Sequence, residues 1–172
     1  MADVEPEQQE AAVGDWPREQ RIVVGMEGSG GAKTALRWAL CEATFRKAVV
    51  EVVTAYAPSY VPATPDFNYV PLDPVDLEKE VGRMQAEVVA EVVESTDAPD
   101  VEIRRRMMKG RPADSLIAAA EGAAMLVVGS RGRGGFRGLR LGSVSQQIAH
   151  HADCPVVIVR PDLDFHDWSA AT

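Results

Sequence analysis

Met125-Leu126-Val127-Val128 followed by Gly129–Val144, GSRGRGGFRGLRLGSV, decides the reading of this chain. The four apolar residues read as a strand buried on both faces, as in a parallel sheet. Beyond the glycines, Val144, Ile148 and Ala152 fall on one helical face. The stretch is therefore strand, glycine-rich basic loop, helix start. Such a junction suits a phosphate: glycines let the backbone come close, free N–H groups point outward, and the helix dipole favours an anion. Arg131, Arg133, Arg137 and Arg140 add positive charge, and no Asp or Glu occurs between Glu121 and Asp153.

Outward from this stretch, the same alternation repeats. Arg21–Gly25 reads as a first strand, broken by Gly28-Ser29-Gly30-Gly31. A helix follows with Ala35, Leu36, Ala39, Leu40 and Ala43 on one side. Ala48–Tyr56 reads as a second strand, and Pro58, Pro62, Pro65, Pro71 and Pro74 mark a long loop. Asp76 opens a second helix, with Leu77, Val81, Met84, Val88 and Val92 at helical spacing. Asp97–Asp100 reads as a turn and Val101–Met108 as a third strand. Pro112 suits the first turn of a third helix with Leu116, Ile117 and Ala120 inward, and Pro155–Val159 is the last strand. Strands alternating with helices imply one α/β domain, an open parallel five-stranded sheet with helices on both faces. Ligands in such folds bind at the carboxyl ends of strands where the strand order reverses. If the loops after the first and fourth strands meet there, Gly25–Gly31 and Gly129–Ser143 form two walls of one site.

Composition bounds the function. The chain has 172 residues with a formal net charge of −8, a balance that argues against general nucleic-acid binding and makes the arginine island local. Its apolar runs are too short to cross a bilayer. The start carries Asp3, Glu5, Glu7 and Glu10 rather than a basic secretory leader, so a cytoplasmic location is expected. Cys41 and Cys154 lack metal or redox spacing and read as reduced, buried thiols. Residues 1–18 read as a disordered acidic arm, 19–161 as the domain, and 162–172 as a polar tail.

Several motifs fail. Gly28–Thr34 is not a phosphate-binding P-loop, because Ala32 and Glu27 stand where that motif needs glycines. The dinucleotide pattern GxGxxG fails at Lys33 or Arg137. His150 and His151 point apart on a helix, and no fourth ligand accompanies them and Cys154. No serine is paired by motif with a histidine and an acid.

One pattern fits: Gly129-x2-Gly132-x9-Gly142-Ser143 after the fourth strand. On this motif, on RIVVGMEGSGGAKTALRWAL, on KGRPADSLIAAA and on the flanks of the loop, the chain resembles the universal stress proteins of the ATP-binding type over residues 20–160. The resemblance implies the strand order 3-2-1-4-5 and a homodimer formed through the last strand, Val156–Val159. It implies that Gly129 and Gly132 let the backbone pass ribose and phosphates, and that Gly142, Ser143 and Val144 hold the polyphosphate. Gly25, Met26 and Glu27 would contact the nucleotide from the first strand, Ala55 would lie by the adenine, and Val128 would add apolar contact. Arg131 occupies a variable slot, open to phosphate contact or to solvent. Mg²⁺ would be held mainly by the phosphates. Glu27 departs from the family's usual Asp, and one extra methylene moves a carboxylate by about 1.5 Å. Ala124 stands where many relatives have Asp. The implied function is an ATP-binding stress-response regulator acting on a protein partner. A slow Mg²⁺-dependent ATPase and a dimeric interaction module without nucleotide are the alternatives, and no general base is evident near the loop.

Overall fold

A computed structural model describes residues 20–57, 74–96, 100–132 and 141–163. The acidic arm, most of the proline-rich loop, Arg133, Arg137, Arg140 and most of the tail lie outside the described residues. Elements alternate along the chain as β1 (Arg21–Gly25), α1 (Gly30–Arg46), β2 (Val49–Tyr56), α2 (Pro74–Glu94), β3 (Ile103–Lys109), α3 (Pro112–Ala119), β4 (Met125–Gly129), α4 (Ser143–His151) and β5 (Val156–Val159). All strand pairs are parallel, in the order β3-β2-β1-β4-β5. The order reverses between β1 and β4, so the two glycine-rich loops leave neighbouring strands.

Each face of the sheet has its own core. Ile22, Val24, Val50, Val52 and Val127 pack under α1 and α2, which contribute Ala35, Leu36, Ala39, Leu40, Val89 and Val92. Val23, Val53, Leu126 and Val128 pack under α3 and α4 through Ala113, Leu116, Ala119 and Ile148. This two-sided burial accounts for the apolar runs of β1 and β4 and for the buried valines on both sides of Glu51 in β2. At the amino end of the sheet, buried Glu51 pairs with Arg21, and Arg106 Nη1 lies 3.6 Å from it. Arg21 also donates to the carbonyls of Ala119 and Glu121, at 2.8 and 2.7 Å. These bonds join β1, β2 and β3 to the end of α3.

Helix ends follow local chemistry. Ser29 caps α1 by accepting from the N–H of Ala32 at 3.2 Å. The helix closes on Lys47 in the left-handed region, φ 52° and ψ 46°, a conformation that favours glycine.

The structure shifts some expected boundaries. α2 begins at Pro74, two residues before Asp76, and its Pro74 occupies the first turn, where a missing N–H is harmless. Its buried residues are Gln85, Val89 and Val92, while Val81, Met84 and Val88 flank them half-buried. β2 begins at Val49 because the N–H of Ala48 closes α1 on the Ala43 carbonyl. β3 begins at Ile103, the first residue in register with β2. Cys41 and Cys154 are half-buried rather than fully buried, and both are free thiols. Burial still pushes each thiol above its ordinary range. Among the described residues no helix is long and apolar enough to cross a membrane.

Candidate functional site

The sheet leaves a gap at its carboxyl edge where β1 ends and its neighbour β2 runs on. The chain after Gly25 fills part of it: the N–H of Met26 donates to the Val53 carbonyl at 2.9 Å, and its carbonyl accepts from the Thr54 hydroxyl at 2.8 Å. Glu27 comes next, its carboxylate accepting a hydrogen bond from the Ser29 hydroxyl. Ser29 thereby joins Glu27 to the first turn of α1.

The loop after β4 forms the opposite wall. The N–H of Ser130 donates to the Val159 carbonyl at 2.7 Å, and the Ser130 carbonyl accepts from the N–H of Gly142 at 2.8 Å. The Ser145 hydroxyl lies 3.0 Å from that same carbonyl and 2.9 Å from that of Gly142. One carbonyl therefore pins both ends of the arginine-bearing excursion and the start of α4. That helix has no side-chain cap at Gly142 and no acidic residue in its first turn, so its positive end is uncompensated by its own side chains.

Between these walls is a cavity of about 250 Å³. Gly25, Met26, Glu27 and Ala55 line it from the β1–β2 side. Val128, Gly129, Arg131, Gly132, Gly142, Ser143 and Val144 line it from the β4–α4 side. All the site residues expected from sequence are thus brought to one cavity. Four lining residues were not anticipated: Val53, Pro112, Leu116 and Ser145. Val53, Leu116 and Val128, all buried, form an apolar floor, and among the described residues the charged groups lining the cavity are Glu27 and Arg131.

The glycines serve different ends. A Cβ on Gly25 would sit 2.9 Å from Leu116 Cδ1 and 3.1 Å from Val128 Cγ1, so its absence admits the apolar floor. A Cβ on Gly129 would sit 2.8 Å from the Gly31 carbonyl carbon and 3.1 Å from the Ala32 nitrogen. Gly129 therefore lets α1 dock against the end of β4, a packing role beside the ligand role expected for it. A Cβ on Gly132 would meet Glu27 Oε1 at 3.2 Å. Gly142 has φ −80° and ψ 166°, open to any residue, and a Cβ there would have its nearest neighbour at 3.5 Å. Among the described residues, neither backbone nor packing calls for glycine at 142.

Lys33, which a P-loop would aim at phosphate, instead reaches α2: its Nζ lies 2.8 and 2.6 Å from the two carboxylate oxygens of Glu91. His150 and His151 hold their rings 6.3 Å apart and tilted, and among the described residues no three His, Cys, Asp or Glu gather to hold a metal.

The sequence matches the universal stress protein family over residues 19–160. The chain belongs to that family. A universal stress protein of Mycolicibacterium smegmatis is 37% identical over 142 residues, covering 81% of this chain and 45% of the relative. This universal stress protein spans about half the length of the curated relatives it matches. Among solved structures, the universal stress protein UspA from Lactobacillus plantarum has a TM-score of 0.62 at 23% identity, covering 83% of this chain and 99% of that one. A universal stress protein in complex with cAMP has a TM-score of 0.59 at 28% identity, covering 81% and 96%.

Proposed function

We propose that this universal stress protein is a regulatory protein that binds an adenine nucleotide, ATP first among them, in the cavity between Glu27 and Gly142. The observation that carries the reading is Gly142: among the described residues nothing calls for a glycine at the start of α4, which has no side-chain cap, whereas close approach of a phosphate does. In this reading the N–H groups of Ser143 and Val144 and the Ser143 hydroxyl hold phosphate oxygens. Gly132 gives the backbone room beside them, and the apolar floor with Ala55 receives the adenine. Mg²⁺ rides on the phosphates. The cAMP complex of a relative supports an adenine nucleotide as the ligand class.

Occupancy would then change the surface that the loop after β4 offers to a protein partner, a recognised form of switch. β5 is an edge strand with Val156, Val157 and Ile158 only half-buried. Pairing with a second copy through Val156–Val159 would cover that edge.

The test is calorimetry on nucleotide-free protein with ATP, with and without Mg²⁺, and with AMP, cAMP and adenosine. Saturable binding at one site per chain, lost in Gly142→Asp, is the expected result. Folded protein that binds none of them at millimolar concentration overturns the reading and leaves a nucleotide-independent interaction module. Phosphate release that scales with pure protein and vanishes in Gly142→Asp would make it an ATPase.

A further inference from the structure

We propose that Gln85 and Thr54 are positioning residues for this site, forming a hydrogen-bonded relay that lets α2 set the placement of the Met26–Glu27 wall. Gln85 lies on the inward face of α2 between apolar neighbours and is 1% exposed. A buried amide is costly there unless it is bonded. Its Nε2 lies 3.0 Å from the Val52 carbonyl, 3.0 Å from Thr54 Oγ1 and 3.2 Å from the Arg106 carbonyl. Two N–H groups serve these acceptors, so one of them is shared. Thr54 is 3% exposed, and its one hydroxyl proton goes to the Met26 carbonyl at 2.8 Å.

The direction of the chain is thereby fixed. Gln85 donates to Thr54, and Thr54 donates to Met26. Consecutive bonds of this kind polarise and strengthen one another. Met26 is the first residue past β1, and its N–H is already held by Val53. Both polar groups of its backbone are thus tied to β2, one directly and one through a side-chain path that ends inside α2. A leucine at 85 would satisfy packing alone. An amide linked through Thr54 to the backbone of a cavity-lining residue makes the wall depend on where α2 sits. By linkage, a nucleotide that prefers one placement of the wall biases α2 to the same extent.

Thr54→Val removes the hydroxyl at constant shape, Thr54→Ser keeps it, and Gln85→Met removes the amide while keeping an unbranched chain. Without nucleotide, amide exchange over Met26–Ser29 and over residues 81–89 is expected to quicken about tenfold in Thr54→Val and Gln85→Met, and to match the parent in Thr54→Ser. Affinity for ATP is expected to fall about tenfold in the first two variants and to hold in the third. The affinity arm rests on the nucleotide-binding reading, whereas the exchange arm does not. Unchanged exchange in both disabled variants overturns the relay, whether or not the parent protein binds nucleotide. Quickened exchange with unchanged affinity in a protein that binds ATP overturns the positioning role. A loss that Thr54→Ser shares also overturns it, since the hydroxyl would then not be its source.

Discussion

Glu27 and Gly132 meet across the mouth of the cavity: a Cβ on Gly132 would lie 3.2 Å from Glu27 Oε1 and 3.6 Å from its carboxyl carbon. The Glu27 carboxylate is thus a second place, beside the Gly31–Gly129 contact, where the two glycine-rich loops come together. The Ser29 hydroxyl holds that carboxylate from the α1 side.

Adding bulk at 132 should therefore act on the mouth and spare the fold. Gly132→Ala displaces only the end of a flexible side chain and should leave stability within about 0.5 kcal/mol. Gly132→Val should lower ATP affinity at least about tenfold with the same thermal midpoint, since a branched side chain occupies the approach. Calorimetry beside thermal unfolding checks both. Equal ATP affinity in Gly132→Val would remove Gly132 from the site.

Gly129→Ala should behave in the opposite way. Its Cβ would press on the backbone of Gly31 at 2.8 Å, which cannot rotate aside. The expected cost is about 1–3 kcal/mol in denaturant unfolding, the range of an overpacked core. A fully stable Gly129→Ala would show that α1 can withdraw from β4.

Gly142→Asp separates stability from binding. Aspartate is a better helix N-cap than glycine, by a few tenths of a kcal/mol, and the backbone at 142 already has cap geometry. The variant should unfold at the same or a slightly higher temperature. It should also lose ATP, because its carboxylate faces the phosphates. Retained ATP binding would sink the assignment of the α4 start as the phosphate cradle.

Lys47→Gly should stabilise the protein by about 1 kcal/mol, since lysine holds a left-handed conformation that glycine adopts freely. Ala43 accepts the closing backbone bond, which the substitution leaves in place. Urea unfolding measures the gain, and a loss of stability would mean that the lysine side chain contributes contacts of its own.

The alternation of β and α elements and the glycine-rich starts of α1 and α4 are legible in local signals, apolar runs and glycines, whereas the strand order that brings the loops after β1 and β4 side by side follows from the family resemblance and not from any local signal. The floor was not legible either. Leu116 was read as a core residue of α3, which it is, but its reach to Gly25 depends on how that helix crosses the sheet. Gln85 was passed over because helical periodicity ranks positions by hydrophobicity, and a buried amide looks like a surface residue until its acceptors on β2 and β3 are in place. The packing role of Gly129 was hidden for a related reason: the backbone it accommodates lies about a hundred residues earlier in the chain.

The carbonyl of Ser130 binds the N–H of Gly142 and the Ser145 hydroxyl, so the chain departs from the sheet and returns to it at a single point. The entropy of closing that excursion is met by this one junction and grows only slowly with the number of residues enclosed. The bonds of that junction involve Ser130, Gly142 and Ser145 and no side chain between 133 and 140. Substitutions in that stretch of sequence therefore leave the anchoring of Gly142 and of the start of α4 intact, so its composition can drift while both ends stay fixed.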